Sequence, residues 1–403
     1  MSNKNKNTND ITTQPKRMVR AGEDSPQLTD EMIDETRKLI GVWLRRDVHV
    51  KNIYEPLSIQ DIRRWAMYSV GDDNPLWQDI GYAKMTAWGN VIAPPTFLLT
   101  VDSAIIAPGL PGIQWIGAGS RWEHFKAVRA GDTITSRGRM IDVQIREGRN
   151  VPRYVNQVGE VLYYNQSGDL VARCEGDTFR IPRKNSGGGF KFAVKDKTEV
   201  PKPYVYTDDE IDEIANAYRT EERRGDKPRY WEDTQVGDTL PVLFKGPLTL
   251  VDVVGFYAGR RNVYNVLKLA FAERDRHPSN VYYSRAMNVP MHPAAGHFDV
   301  EIAHEIGMPG AYDHAWQRPN WGAHLLTNWC GDLGFVRKFT GRVLKPNIVG
   351  DLTKITGVVK GLRKENGEAL VDIEWWGLNQ RGERNCDGTG LVRLPSRDPS
   401  LSC

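Results

Sequence analysis

Two stretches of this 403-residue chain run through the same order of elements, and that internal repeat restricts the fold more than any other feature. Each opens on a short helical pattern: "LSIQDIRRWAMYSVGDDN" with Ile59, Ile62 and Trp65 near helical spacing, and "LTLVDVVGFYAGRRN" with Val251, Val254 and Tyr257. Each continues through a D-x-x-x-A step, Asp79 to Ala83 and Asp299 to Ala303. A longer apolar helix is then expected in both, over "PPTFLLTVDSAII" and over "RPNWGAHLLTNWCG", where Trp321, Leu325 and Trp329 share one face. Runs rich in Val, Ile, Thr and aromatics close each half, broken by turn pairs such as Ser167-Gly168, Asn366-Gly367 and Arg381-Gly382. One apolar helix and about four antiparallel strands, twice over, describe a helix wrapped by a sheet, which is an α+β fold.

The pattern divides the chain into a polar tail over residues 1–36, a first domain over 37–185, a linker over 186–228 and a second domain over 229–397. The linker is the glycine-rich and charged stretch "RKNSGGGFKFAVKDKTEV" followed by a helical pattern with Ile211, Ile214 and Tyr218. Lys and Arg number 54 against 51 Asp and Glu, and the resulting +3 is too slight a field to suggest nucleic acid or a membrane surface as partner. No apolar run nears the ~20 residues of a membrane span. The four cysteines are scattered without C-x-x-C spacing, so a reducing cytoplasm is the expected compartment.

The first half, "GDDNPLWQDIGYAKMTAWGNVIAPPTF", resembles the MaoC-like dehydratases and (R)-specific enoyl-CoA hydratases, whose signature is approximately G-D-x-N-P-x-H-x-D-x-x-x-A followed by an H-G or P-P step. The resemblance implies a double hot-dog fold that binds an acyl-CoA thioester, with no cofactor, as a homodimer or with another hot-dog chain. Trp77 stands where the family has its histidine. In the second half, "AAGHFDVEIAHEIGMPGAYDHAWQRPNW" puts His297 at that place, Asp299 and Ala303 after it, and His314 at the histidine of the H-G step. The resemblance therefore implies that the second half is catalytic and the first reshaped to hold the acyl group.

The family's aspartate falls on Asp72 in the first half but on His292 in the second. The acid partner of His297 stays open among His292, Asp299, Asp313, Asp332 and Asp72. Six of the eight histidines crowd into residues 276–325, without zinc-ligand spacing, which suggests proton chemistry in place of a metal. Arg260, Arg261 and Arg318 are expected at CoA phosphates, and Asp72, Asn74 and Trp77 at the acyl group. The reading is hydration of a 2-enoyl-CoA or its reverse, with His297 as base and acid. A non-catalytic half-site subunit and a thioesterase are the rivals. An insertion over residues 263–295 has no counterpart in the first half and is expected to cover the acyl pocket.

Overall fold

The computed structural model describes residues 26–48, 56–148, 152–182, 203–260, 267–276, 282–284, 287–291, 294–305 and 308–401. The first half holds α1 (Asp30–Arg37), β1 (Trp43–Val48), α2 (Ile59–Arg64), α3 (Ile80–Met85), β2 (Gln114–His124), β3 (Thr135–Arg146), β4 (Tyr154–Tyr164) and β5 (Leu170–Ile181). After the linker helix α4 (Asp208–Arg219) come β6 (Leu243–Lys245), α5 (Leu250–Gly259), α6 (Lys268–Arg276) and a two-rung hairpin, β7 (Tyr282–Tyr283) with β8 (Pro290–Met291). The second half ends with α7 (Val300–Glu305), α8 (Gln317–Cys330), β9 (Phe335–Val343), β10 (Thr353–Glu365), β11 (Glu368–Asn379) and β12 (Arg384–Arg393). No described helix is long and apolar enough to cross a membrane.

The ten longer-range strands form one sheet in the order β1-β3-β4-β5-β2-β9-β12-β11-β10-β6. Read from the two edges inward, the order is the same on both sides, so the repeat in sequence has become a two-fold repeat in space. The halves meet where β2 pairs antiparallel with β9, Trp122 opposite Phe339. A second contact lies between helices. The chain of α2 continues as a π-helical turn, Trp65–Val70, whose Ser69 hydroxyl donates to the Phe256 carbonyl of α5. Trp65 and Phe256 pack ring to ring there. Insertion of a π turn lets this helix follow its partner at close range.

Helix α8 forms as expected, and all fourteen of its residues are buried in the curve of the second-half sheet. Small residues make that possible. A Cβ on Gly322 would lie 2.6 Å from the Trp375 ring, and one on Gly341 of β9 would lie 2.7 Å from Pro319. The first half departs from its expected helix: "PPTFLLTVDSAII" forms only a 3-10 turn, Phe97–Thr100. Tertiary hydrogen bonds draw the following backbone away from a helix. Arg45 pairs with Asp102 and donates to the Ser103 and Ile105 carbonyls, while Arg180 donates to those of Ala107, Leu110 and Ile113. Pro108, Gly109, Pro111 and Gly112 then forbid helical continuation. Of the insertion, α6 is described and leaves Leu269 and Phe271 exposed.

Because α8 touches the sheet without a spare methyl's width, Gly322→Ala should lower stability by about 1–3 kcal/mol, the usual range for overpacking. Urea unfolding of the variant beside wild type checks this. An unchanged midpoint would mean that Trp375 yields freely and that the helix is not tightly seated.

Candidate active site

The two loops that carry the signature fold alike. Asp72 accepts the Asn74 amide and Asn74 accepts the Leu76 amide, which shapes the 3-10 turn Pro75–Trp77. Asp79 then caps α3 by accepting the Tyr82 amide. In the second half a 3-10 turn, Ala295–His297, precedes Asp299, which accepts the Ile302 amide at the start of α7. Trp77 and His297 therefore occupy the same place in the two halves, and Asp299 is a helix cap in the manner of Asp79. His292 and Arg261 lie outside the described residues.

His297 and His314 are brought together, their rings stacked at 5.6 Å and 23°. Nδ1 of His297 donates to the Tyr312 carbonyl at 2.9 Å, an arrangement that leaves Nε2 as the proton-accepting nitrogen. Solvent reaches part of this ring, yet burial among Tyr257, Phe298 and Tyr312 pushes its pKa down to about 4. It is neutral near pH 7 and able to take a proton. His314 begins α8 in a different role. Its Nδ1 accepts the Trp316 amide at 3.2 Å, and Gln317 Oε1 accepts the His314 amide in return at 3.3 Å, a reciprocal cap built on a histidine. The amide of Ala315, between them, has no hydrogen-bond partner among the described residues. In the first half the matching residues are Pro94 and Pro95, which have no N–H to offer.

The two described arginines expected at phosphates, Arg260 and Arg318, are buried. Arg318 is 2 % exposed, forked onto Asp313 at 2.7 and 3.0 Å and bonded to the Lys345 and Asn385 carbonyls. Arg260 is 7 % exposed, with its NH1 3.4 Å from His314 Nε2. Burial fits them to hold the start of α8, since neither guanidinium faces solvent where a CoA phosphate would lie. Burial raises the Asp313 carboxyl to about 6 against the opposing pull of Arg318. Asp332 accepts the Tyr82 hydroxyl.

Sequence reasoning missed one cluster. Trp77 Nε1 donates to Asp72 at 2.7 Å, and on the other side of that carboxylate, 3.4 Å away, stands His324 of α8. His324 Nδ1 takes the Lys245 ammonium at 2.9 Å, and its Nε2 lies 3.4 Å from Glu221. Five residues from four separate segments meet here, and His324, Lys245 and Glu221 reach Asp72 only through tertiary folding, so no local signal could have found them. A cavity of ≈ 50 Å³ adjoins the cluster, lined by Asn74, Trp77, Pro94, Pro95, Cys330 and Phe335 among others. It is the first-half counterpart of the His297 position and lies away from His297 itself. Among the described residues no group of three or more His, Cys, Asp or Glu is placed to hold a metal ion.

Comparison with known proteins places these halves. The family described as FAS1-like, dehydratase domain region, matches residues 46–174. A UPF0336 protein of Parafrankia sp. (strain EAN1pec) is 30% identical over 122 residues, 28% of this chain and 76% of that protein. A second, from Thermobifida fusca, is 28% identical over 116 residues, 27% and 75% of the two chains. A solved MaoC-like dehydratase superposes with TM-score 0.60 at 18% identity, over 89% of this chain and 100% of that one. The chain belongs to the family of the UPF0336 proteins. A MaoC domain dehydratase from Chloroflexus aurantiacus superposes with TM-score 0.50 at 12% identity over 93% of this chain and 99% of that one, a likeness of fold. This chain has the double hot-dog arrangement.

In this chain burial holds the Asp72 carboxyl up at about 6, against an ordinary 3.8. A folded-state pKa above the unfolded one means that the folded chain takes up its proton first. This contribution to stability is fully present below the unfolded value and is lost as pH rises through about 6. The urea midpoint of wild type should therefore drop between about pH 5 and pH 7 by more than that of Asp72→Asn. Parallel pH dependences in the two proteins would show that Asp72 keeps its charge throughout.

Proposed function

We propose that this chain hydrates a 2-enoyl-CoA thioester, or dehydrates the 3-hydroxyacyl-CoA in reverse, at His297. The observation that carries the reading is the pairing of a neutral histidine, its Nδ1 fixed on the Tyr312 carbonyl, with the N-terminus of a buried helix whose Ala315 amide is unengaged among the described residues. The first half has neither, because Trp77 and Pro94-Pro95 stand in those places.

The chemistry follows from the groups. His297 Nε2 takes a proton from water as the oxygen bonds to the β-carbon. Electrons of the C=C bond move onto the thioester oxygen, and the Ala315 amide with the helix terminus stabilises the enolate. The imidazolium then returns its proton to the α-carbon as the carbonyl reforms. One water adds, and no redox partner is needed. Among the described residues a single histidine serves in both steps, since Asp299 caps α7, Asp313 holds Arg318, Asp332 holds Tyr82 and Asp72 holds Trp77.

That same engagement of the carboxylates nearest the signature supports a second reading, a half-site subunit that binds acyl-CoA and needs another hot-dog chain for turnover. A homodimer is the corresponding assembly for the first reading. Assay of the chain alone against a panel of enoyl-CoAs separates the two, and release of free thiol would instead indicate a thioesterase.

His297→Gln should lower turnover about 100- to 10,000-fold, the range for loss of a general acid–base group, with the thermal midpoint little changed. A folded variant with full activity would remove His297 from the mechanism. Trp77→Ala should widen the first-half cavity and shift preference toward bulkier acyl chains. Identical relative rates across the panel would show that this wall does not meet the acyl group.

A further inference from the structure

We propose that Arg260 is a positioning residue that keeps His314 neutral, so that of the two stacked imidazoles only His297 carries the travelling proton. The purpose of this arrangement rests on the hydratase reading, whereas its geometry does not.

Both nitrogens of His314 face donors. The Trp316 amide approaches Nδ1 at 3.2 Å, and Arg260 NH1 approaches Nε2 at 3.4 Å. A neutral imidazole has one acceptor nitrogen and satisfies one of these contacts, whichever tautomer it takes. An imidazolium has none. Both contacts would then set donor against donor, and a second cation would sit beside a guanidinium that is 7 % exposed. His297 is wired the other way, since its Nδ1 meets the Tyr312 carbonyl, which strengthens as an acceptor when the ring is charged.

Among the described residues the remaining surroundings of His314 add no compensating charge. Phe256 stacks on it at 4.9 Å, Tyr257 meets it edge-on at 5.4 Å, and Gln317 is engaged with the His314 amide and the Asp252 carbonyl. The neighbouring Asp313 is closed upon Arg318. Burial, Arg260 and His297 together hold the His314 pKa well below its usual range. Arg260 is itself fixed where α5 ends, its amide on the Phe256 carbonyl and its guanidinium 5.9 Å from the Phe256 ring.

The consequence is a division of labour. A proton removed from water must return to the α-carbon, and a second basic ring 5.6 Å away would divert it. With His314 unable to charge, the proton stays on His297. The neutral His314 also keeps the Trp316 amide capped, which leaves the Ala315 amide as the donor facing outward from the helix start.

The test is imidazole NMR on the full chain with isotope-labelled histidine, the His297 and His314 signals assigned by their loss in His297→Gln and His314→Gln. From about pH 8 to about pH 5, the window in which an ordinary histidine titrates, the His314 signals should stay those of a neutral ring in wild type and in Arg260→Lys. In Arg260→Met a midpoint should enter that window. Its rate profile should gain a matching ionisation, with kcat reduced more than KM is changed, and Arg260→Lys should restore the wild-type profile. Titration of His314 in wild type, or an unaltered neutral ring in Arg260→Met, overturns the proposal. If Arg260→Met does not fold, the wild-type titration and the Arg260→Lys profile decide. A silent His314 in a chain that hydrates no enoyl-CoA counts against the hydratase reading alone, because the NMR needs no turnover.

Discussion

A helix with no face toward solvent must have its first amides answered from within the protein, and α8 is such a helix. The answer is the knot of side chains at its start. The His314 imidazole accepts the Trp316 amide and Gln317 Oε1 accepts the His314 amide, while the Asp313–Arg318 fork ties the segment before α8 to the carbonyls of Lys345 and Asn385. An ion pair this deeply enclosed is costly to form and more costly to break, because loss of either partner strands a charge in the interior. Everything at the candidate site depends on that knot. It fixes where the Ala315 amide lies, sets His314 against His297, and uses up the arginine that a surface reading assigns to a phosphate.

The two halves place different side chains on one scaffold. Trp77 donates to Asp72 through its indole N–H, in a loop that folds like the one carrying His297. Pro94 and Pro95 remove the amide donors, and the central helix shrinks to a 3-10 turn held open by Arg45 and Arg180. The old carboxylate is not idle. It has become one member of a buried group with His324, Lys245 and Glu221 that joins the first half, the linker and the second half. Burial raises the pKa of Asp72 and of Glu221 and lowers those of Lys245 and His324, so each of these groups is pushed toward its uncharged form. The cluster links the halves at a point where the β2–β9 pairing does not reach.

Much of the fold was legible from local pattern. Hydrophobic spacing placed α5, α8 and the linker helix α4, alternation and turn pairs placed the long strands, and the shared D-x-x-x-A step two residues after Trp77 and after His297 matched those two positions. These signals are local because helices and strands repeat every few residues. The first-half helix was misread for a complementary reason: "PPTFLLTVDSAII" has helical hydrophobicity, but Asp102 is drawn to Arg45 from far away in sequence, and long-range ion pairing overrides a weak local preference.

By itself the sequence determined the duplicated α+β plan and the residue, His297, on which proton chemistry converges in the resemblance. Only the tertiary structure decided what the charged groups around it do. Asp299, Asp313 and Arg318 look like free functional groups in a string of letters, yet each is engaged by a backbone or a counter-charge that folding brings up. Arg260 reads as a surface cation and lies buried against His314. The reason is physical: hydrophobic periodicity is written within one turn or one strand, whereas the charge state of an imidazole is set by whichever donors and acceptors the rest of the chain carries to within about 3 Å of it.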